Sequence, residues 1–525
     1  MATQIKYPIG VQSFESLRMD GFVYIDKTLL IQKLIETGKV YFLSRPRRFG
    51  KSLLVSTLKA YFEGKRELFK GLAIDRDDMN WTPSPVLLLD LNTSEYKNIA
   101  QLEAIIRDHL HKWETEYGST SIEKDLPLRF KGIIESAHKR TGQRVVVLVD
   151  EYDKPLLHAI GKPELMEEFR SLLKSLYAVL KTTDEHVRFA FITGVTKFSK
   201  VSIFSDLNNL NDISLDKEYE NICGISEEEL FDQLAPGIEQ FASDRKMTVE
   251  ECRAELKRRY DGYHFTEDTC RTGIYNPFSV LCALSKREFR DFWFATGTPS
   301  FLIQVLKQNN YRLDQLMEAP SITSDLMSEV NSFNKTPLPI LYQSGYLTIV
   351  SYDERFNEYT LAFPNYEVEY GFIKYLSSTY MHDQEKESGI SSSPFYIEKF
   401  VKDIEQGRAE DFMQRLDTFL CDSDYQIAGQ AELYFQNVMF VVLKMLGFYI
   451  MTERHTSYGR IDLLLQTHDF VYVIELKLDA TVEEALQQIE DKGYAKPFAL
   501  EERKVIKIGA NFSSETRHLT NWQIV

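Results

Sequence analysis

A loop between an apolar segment and a helix-forming segment constrains the fold of this 525-residue chain more than any other feature. The segment VYFL is followed by SRPRRFGKS and then by LLVSTLKAYF. Gly50, Lys51 and Ser52 therefore open a predicted helix, where unpaired N–H groups and the helix dipole favour a phosphate. In phosphate loops the lysine reaches the outer phosphates and the hydroxyl binds magnesium. A short GKS match also arises by chance, and Arg45 stands where this pattern has its first glycine.

A continuous apolar run at 145–149 ends in two carboxylates, Asp150 and Glu151. Such a run is typical of a strand buried on both faces of a parallel sheet, and open α/β sheets bind ligands at the carboxyl ends of their strands. We expect Asp150 to hold the magnesium and Glu151 to activate the attacking water. The alternative is a solvated turn. Asp90, near the end of another apolar run, either faces the same site or caps a turn.

Charge is distributed unevenly. The net charge of −16 argues against a broadly basic surface that coats nucleic acid. The phosphate loop nevertheless concentrates four cations, and guanidinium groups bind phosphate in a bidentate, geometrically selective way. We therefore expect these cations to bind nucleotide, and which of the central two arginines faces the phosphates stays open: Arg45, Arg47, Arg48 and Lys51.

The chain divides into regions of different texture. Residues 1–222 alternate strands and helices, which predicts a parallel sheet covered on both faces. Residues 223–385 are mostly helical and end in an alternating segment that predicts a hairpin, so a winged-helix-like lid is expected. Its aromatic motifs suit either a sensor or nucleic-acid-binding subdomain or simply an apolar core. A linker is predicted at 386–394, followed by a further domain at 395–525.

The composition favours a cytoplasmic protein. No run of about 18 apolar residues is present for a membrane span, and the first residues lack a basic-then-apolar signal region. The five cysteines are scattered without a C-x-x-C pair, which favours reduced thiols over a zinc site or a disulfide framework.

The last third carries a second pattern of charged residues. Two predicted strands, 459–466 and 471–478, flank a short polar segment. If His468 and Asp469 form a two-residue turn, Asp462 lies opposite Glu475, with Cβ atoms about 5 Å apart. Two carboxylates that close favour a cation between them. Lys477 lies on the same face of its strand as Glu475.

An acid followed by E-x-K on the next strand is a layout that binds magnesium at a scissile phosphate, with the lysine positioning water or stabilising charge. A charged, solvated strand face is the alternative. The opposed Asp462 and the apolar residues around Glu475 favour the metal site. Arg460, opposite Lys477 in the same register, either contacts a phosphate or pairs on the surface.

The N-terminal motifs SRPRRFGKSLL, YIDKT, VLVDEYDKPL and FITGVTKFS resemble the AAA-ATPase-like family of gut bacteria, which is distantly similar to archaeal and STAND-type P-loop ATPases. The resemblance extends to YDGYHF, YNPFS and FPNYEV in the middle region. It implies a P-loop NTPase fold that tolerates Arg45, and it implies the sensor position for Thr193.

The C-terminal segments GRIDLLL, VYVIELKLD and ALQQIEDKGY resemble the PD-(D/E)xK nuclease superfamily. This implies an α/β restriction-endonuclease-like domain in which Asp462 and Glu475 bind metal and Lys477 is catalytic. The same resemblance implies that Glu432 is an auxiliary acid and that Gln488 matches the glutamine of the following helix.

Together these patterns predict a magnesium-dependent ATPase fused to a DNase-like domain, with manganese as an alternative ion at the nuclease site. ATP and nucleic acid, DNA in the first instance, are the expected partners, and a homo-oligomer is an open option. ATP binding or hydrolysis would then control cleavage, in defence or mobile-element biology. The alternative is an ATP-switched scaffold or signalling protein whose nuclease-like domain binds without cutting, which suits the acidic charge.

Overall fold

The structure is a computed structural model that divides the chain into two compact units. One contains Met1–Asn309 with Ala319–Val368, and the other contains Asn310–Glu318 with Glu369–Val525. The predicted border at 222 falls inside the first unit, and the predicted linker at 386–394 lies outside the described residues. The described residues are 5–76, 79–92, 95–121, 124–197, 203–204, 207, 209–294, 305–306, 311–327, 336–380, 397–421, 440–442, 444–447, 451–456, 459–499, 502–513, 515–516 and 518–525.

A parallel sheet forms the centre of the first unit, as the alternation of strands and helices predicts. Its strands in the described part of the chain run in the order β2-β3-β4-β1-β5. All six residues of β3 are buried, which agrees with its continuous apolar sequence. The strands are β1 (Val40–Ser44), β2 (Val86–Asp90), β3 (Val145–Asp150), β4 (Val187–Gly194) and β5 (Asn211–Asp212).

Amphipathic helices cover this sheet. Leu102 and Trp113 of α4, Phe130 of α5 and Phe169 of α7 belong to one apolar core with residues of β1 to β4. Asp125 caps helix α5, because its side chain accepts a hydrogen bond from the Leu128 N–H. Such a cap satisfies a backbone N–H group that the first turn of the helix leaves without a partner. The helices are α1 (Phe14–Met19), α2 (Thr28–Thr37), α3 (Lys51–Phe62), α4 (Ile99–Tyr117), α5 (Leu126–Thr141), α6 (Lys154–His158) and α7 (Pro163–Thr182).

The region after residue 222 is mostly helical, as predicted. Both predicted capping boxes, Ser226 with Glu229 and Thr248 with Glu251, form in the structure. Tyr260 and Tyr275, from two of the aromatic motifs, are buried in an apolar core. The helices are α8 (Glu227–Gln233), α9 (Ala235–Arg245), α10 (Val249–Tyr260), α11 (Pro277–Lys286), α12 (Ser324–Met327), α13 (Leu338–Gln343) and α14 (Tyr366–Tyr380).

Two small antiparallel sheets accompany these helices. The predicted hairpin forms around a turn between Asp353 and Glu358, and a third strand extends it in the order β8-β10-β9. None of the described helices is both long and apolar enough to cross a bilayer. The strands are β6 (Ile225–Ser226), β7 (Ile274–Tyr275), β8 (Ser321–Thr323), β9 (Thr348–Asp353) and β10 (Glu358–Ala362).

The second unit is built on a mixed sheet in the order β11-β12-β13-β14-β15, in which only β13 and β14 are parallel among the described pairs. Helix α17 connects that parallel pair and packs closely on Gly509, where an added Cβ would lie 2.9 Å from the Val482 carbonyl oxygen. The elements are α15 (Ile397–Glu405), α16 (Ala409–Cys421), β11 (Met451–Thr456), β12 (Gly459–Gln466), β13 (Phe470–Leu478), α17 (Val482–Lys492), β14 (Lys504–Phe512) and β15 (Leu519–Ile524).

The register of the β12-β13 hairpin is the predicted one. Leu463 pairs with Ile474, and the Thr467 N–H donates to the Phe470 carbonyl at 2.9 Å. His468 and Asp469 are therefore the two-residue turn between the strands.

Candidate functional site

A cavity of about 510 Å³ lies in the first unit beside the phosphate loop. Parallel strands bring their carboxyl ends to one edge, so residues that follow β1, β3 and β4 meet there. Cations outnumber carboxylates along its walls, which attracts an anionic ligand into a chain of negative net charge. The lining side chains that carry charge are Arg47, Arg48, Lys51, Glu151 and Lys154.

The phosphate loop turns sharply into α3. Gly50 has a φ of +92°, which a side chain would strain, and Lys51 is the first residue of the helix. The guanidinium of Arg48 lies 4.8 Å from the ring centre of Phe278, while Arg47 lines the cavity. The N–H groups of the first turn of α3 therefore open toward a cavity that also contains guanidinium groups.

Lys51 is only 5% exposed, and its ammonium is directed back into the loop. It donates hydrogen bonds to the carbonyl oxygens of Arg45 at 3.0 Å and Pro46 at 3.2 Å. A phosphate is a stronger acceptor than a neutral carbonyl for an ammonium group. The loop thus holds Lys51 where an incoming phosphate would compete for it.

Ser52 and Asp150 come together beneath the loop. The Ser52 hydroxyl lies near the Asp150 carboxylate, which is 7% exposed. Burial raises the pKa of Asp150 to about 6, while Ser52 and the nearby Lys51 ammonium act in the opposite direction. A hydroxyl and a carboxylate are oxygen ligands that magnesium prefers, so the two side chains fit this ion.

Glu151 lines the cavity in a backbone conformation that is rare for a glutamate. Its φ is +53°, in the left-handed region, and its N–H donates to the Asp150 carboxylate at 3.1 Å. Strained residues of this kind concentrate at functional sites, where the surrounding structure holds them. The turn separates Glu151 from Asp153, which is directed into the interior.

Asp153 is a site residue that the sequence reasoning missed. Its buried carboxylate accepts hydrogen bonds from the N–H of Val195 at 3.1 Å and from the N–H and hydroxyl of Thr196, both at 2.6 Å. An added Cβ at Gly194 would lie 2.4 Å from this carboxylate, so the chain must stay close there. Asp153 thereby ties the segment after β3 to the segment after β4. The sequence signal that could have identified Asp153 is the presence of a third acid shortly after Asp150 and Glu151.

Asn92 and Lys154 line the same cavity, and Asp90 precedes Asn92 at the end of β2. Asp90 accepts a hydrogen bond from the Asn92 N–H at 2.8 Å, which is the turn-capping alternative. The Lys154 ammonium donates to the Asn92 side-chain oxygen at 2.6 Å.

The side chains of Arg45 and Thr193 lie in the interior, and neither lines the cavity of about 510 Å³. Arg45 is 1% exposed, and its guanidinium donates to the carbonyl oxygens of Ser44 at 2.9 Å and Ser214 at 2.7 Å. The Thr193 hydroxyl donates to the Leu43 carbonyl at 2.9 Å, across the β1-β4 pair. Both groups join backbone segments, and their roles at a bound nucleotide stay predictions.

The second unit brings Glu475, Lys477 and Gln488 together. The Lys477 ammonium donates to a Glu475 carboxylate oxygen at 3.0 Å and to the Gln488 side-chain oxygen at 2.6 Å. The Gln488 amide nitrogen donates to the same oxygen of Glu475, which is 1% exposed. A capping box formed by Thr481 and Glu484 fixes the start of α17 and hence the position of Gln488.

The remaining predicted nuclease residues lie outside the described part of the chain. Glu432 falls in the undescribed range 422–439, and the side chains of Asp462 and Arg460 are not described. Among the described residues no group of three or more histidine, cysteine or carboxylate side chains forms a metal site. Asp462 and Glu432 as metal ligands stay predictions.

The comparisons with known proteins agree with both halves of the chain. Residues 8–204 match the family described as "Predicted AAA-ATPase", and residues 430–522 match the PD-(D/E)XK nuclease superfamily. A relative from Azotobacter chroococcum mcd 1, the "Uncharacterized protein in vnfD 5'region", is 36% identical over 533 residues, covering 99% of this chain and 98% of the relative. The chain belongs to the predicted AAA-ATPase family. No solved structure matches it significantly.

The cavity is closed on one side by residues beyond the matched range 8–204. The Trp293 ring nitrogen donates to the Arg47 carbonyl at 3.2 Å, and the Trp293 N–H donates to the Glu367 carboxylate at 2.7 Å. The other oxygen of Glu367 accepts from the Ser279 hydroxyl at 2.7 Å. Burial raises the pKa of Glu367 to about 8. Glu367, which the sequence reasoning did not single out, thus holds α11 and Trp293 together at the phosphate loop.

Proposed function

We propose that this chain binds and hydrolyses ATP with magnesium in its first unit and cleaves a phosphodiester bond of DNA in its second unit, with the ATP state controlling cleavage. The observation that carries the proposal is the proximity of both Ser52 and Lys51 to the Asp150 carboxylate. A lysine, a hydroxyl and a carboxylate, which are residue types that bind phosphate and magnesium, meet there at the N-terminus of α3. A cavity of about 510 Å³ lies beside them.

The cavity walls suit the two ends of a nucleotide. Lys51, Arg47 and Arg48 supply positive charge to the phosphates. A smaller, mainly apolar cavity of about 90 Å³ shares Gly50 and Pro277 with the larger one and is otherwise lined mostly by aliphatic and aromatic side chains. A base ring transferred into that recess would exchange water for apolar contacts.

The hydrolytic roles follow from the side chains at the cavity edge. At both sites a bound divalent cation would supply Lewis-acid stabilisation of phosphate oxygens. Ser52 and the ionised Asp150 are the oxygen ligands available to it in the first unit. Glu151, held in the cavity by its left-handed turn, accepts a proton from the attacking water. Lys51 stabilises the charge that develops on the transferred phosphoryl group.

In the second unit, Glu475 is the acid for magnesium or manganese and Lys477 is the cation at the scissile phosphate. Gln488 orients both side chains, because its amide accepts a hydrogen bond from Lys477 and donates one to Glu475. Asp462 and Glu432 complete the proposed ligand set on sequence grounds.

The test separates the two activities. Lys51→Ala should abolish phosphate release from ATP, whereas Lys59→Ala, an exposed lysine on the same helix, should leave it intact. Glu475→Gln should abolish DNA cleavage and spare ATP hydrolysis, with the exposed Glu483→Gln as its control. Loss of both activities in both variants would contradict the assignment. ATP hydrolysis without cleavage of any nucleic acid would leave the ATP-switched scaffold as the function.

A further inference from the structure

Ser344 is a buried residue that lines the larger cavity. It is 5% exposed, and its side-chain oxygen has no hydrogen-bond partner among the described residues. Buried hydroxyl groups in folded proteins are nearly always hydrogen-bonded, because an unsatisfied one loses its contacts with water without replacement. A ligand in the cavity is therefore a candidate partner for this group.

The segment around Ser344 is held in place by its neighbours. The side-chain oxygen of Gln343 accepts from the Lys197 N–H at 2.8 Å, and the Gly345 carbonyl accepts from the Tyr263 hydroxyl at 3.2 Å. Gly345 has a φ of +87°, and an added Cβ there would lie 2.7 Å from the Cβ of Pro46. Ser344 is thus fixed one residue away from a direct contact with the phosphate loop.

Ser344 lines the larger, cation-rich cavity and does not line the smaller apolar one. Ser344 lines the cavity together with Trp293 and Tyr346. The Trp293 ring nitrogen donates a hydrogen bond to the Arg47 carbonyl in the phosphate loop. None of these three residues lines the smaller apolar cavity that suits the base. A hydroxyl that lines the same cavity as Arg47 and Lys51 meets the negatively charged oxygens that these cations attract, and it donates well to them.

We propose that Ser344 donates a hydrogen bond to a phosphate oxygen of the bound nucleotide. This rests on the proposed ATP binding in the same cavity, and it adds a phosphate ligand from a segment that lies beyond the family match at 8–204. Through Gly345 and Gln343, the contact links the phosphates to the segment that leads into β9. The residue is a ligand of the nucleotide, and the presence of phosphate is what it recognises.

The test compares Ser344→Ala with Ser351→Ala, an exposed serine on β9, in the full chain. Binding of ATP, ADP and adenosine is measured by calorimetry, and the thermal midpoint is measured without nucleotide. Ser344→Ala should weaken ATP and ADP binding about tenfold and leave adenosine binding unchanged. Its ligand-free midpoint should be equal to or above the wild-type value, because an unsatisfied buried hydroxyl has been removed. Ser351→Ala should change neither quantity.

The outcomes separate the two levels of the proposal. If the wild-type chain binds neither ATP nor ADP, both the nucleotide function and the Ser344 contact fail. If the wild type binds them and Ser344→Ala binds them equally well, only the Ser344 contact is overturned. Equal weakening of adenosine and ADP, accompanied by a lower ligand-free midpoint, would assign Ser344 a structural role and would also overturn the contact.

Discussion

The Glu475 carboxylate and the Lys477 ammonium lie 3.0 Å apart on one face of β13, and the Gln488 side chain hydrogen-bonds to both. An amide suits this position because it carries an acceptor for the lysine and a donor for the carboxylate. A second carboxylate in its place would repel Glu475, and an aliphatic side chain would leave both charges without an orienting contact.

Gln488→Ala should lower the rate of DNA cleavage about 10- to 100-fold, the usual effect of removing a group that orients a metal ligand. Gln487→Ala is the matched control, because Gln487 is exposed and its side chain donates to Asp491 on the same helix. Cleavage is measured on linear DNA with magnesium, and ATP hydrolysis should be unaffected in both variants. An unchanged rate for Gln488→Ala would remove the residue from the site.

Arg45 and Arg47 are two residues apart, and their substitution should affect different properties: stability for Arg45 and ATP binding for Arg47. Arg45→Ala removes hydrogen bonds from a buried guanidinium to carbonyl groups of distant segments, so the free energy of unfolding should fall by about 2 kcal/mol or more. Arg47→Ala should leave stability unchanged and weaken ATP binding about tenfold. Urea unfolding and calorimetry measure the two quantities. Weakened ATP binding at full stability in Arg45→Ala would instead identify Arg45 as a nucleotide ligand.

Magnesium binding in the first unit should depend on pH through Asp150. Burial raises the pKa of this carboxyl from 3.8 to about 6, so below pH 6 a proton competes with the ion. We expect magnesium with ADP to raise the thermal midpoint fully above about pH 7 and to lose this effect below about pH 5. Asp150→Asn should show no magnesium effect at any pH. A magnesium effect that is constant from pH 5 to pH 7 would contradict this role.

The raised pKa of Asp150 also makes the free energy of unfolding of the magnesium-free protein depend on pH. A raised pKa means that the folded chain binds the Asp150 proton more tightly than the unfolded chain does. The Asp150 contribution to the free energy of unfolding is therefore most favourable below pH 4. It falls by up to about 3 kcal/mol as the pH rises through 6. Asp150→Asn should lack this component of the pH dependence.

The sequence predicts those parts of the fold that depend on local pattern. The continuous apolar run of β3 and the alternation in the β12-β13 hairpin identify buried strands, and the two-residue turn at His468 sets a register that the described pairs confirm. The proximity of Ser52 to Asp150 follows from the rule that parallel strands gather their carboxyl ends at one edge.

The direction of individual side chains was not predictable because distant segments decide it. Arg45 bonds to Ser214, 169 residues away, and Glu367 bonds to Trp293 and Ser279, which are 74 and 88 residues away. A single sequence contains no periodicity that links such positions. Thr193 illustrates the same point, since its hydroxyl is used by the neighbouring strand β1.

Control of cleavage by ATP is tested most directly by measuring the cleavage rate of linear and circular DNA with magnesium, with and without ATP. The measurement uses the wild type, Lys51→Ala and Glu475→Gln. The account predicts that ATP changes the wild-type rate by about tenfold or more, that Lys51→Ala cleaves at one rate in both conditions, and that Glu475→Gln does not cleave. Equal wild-type rates with and without ATP, at intact ATP hydrolysis, would contradict it.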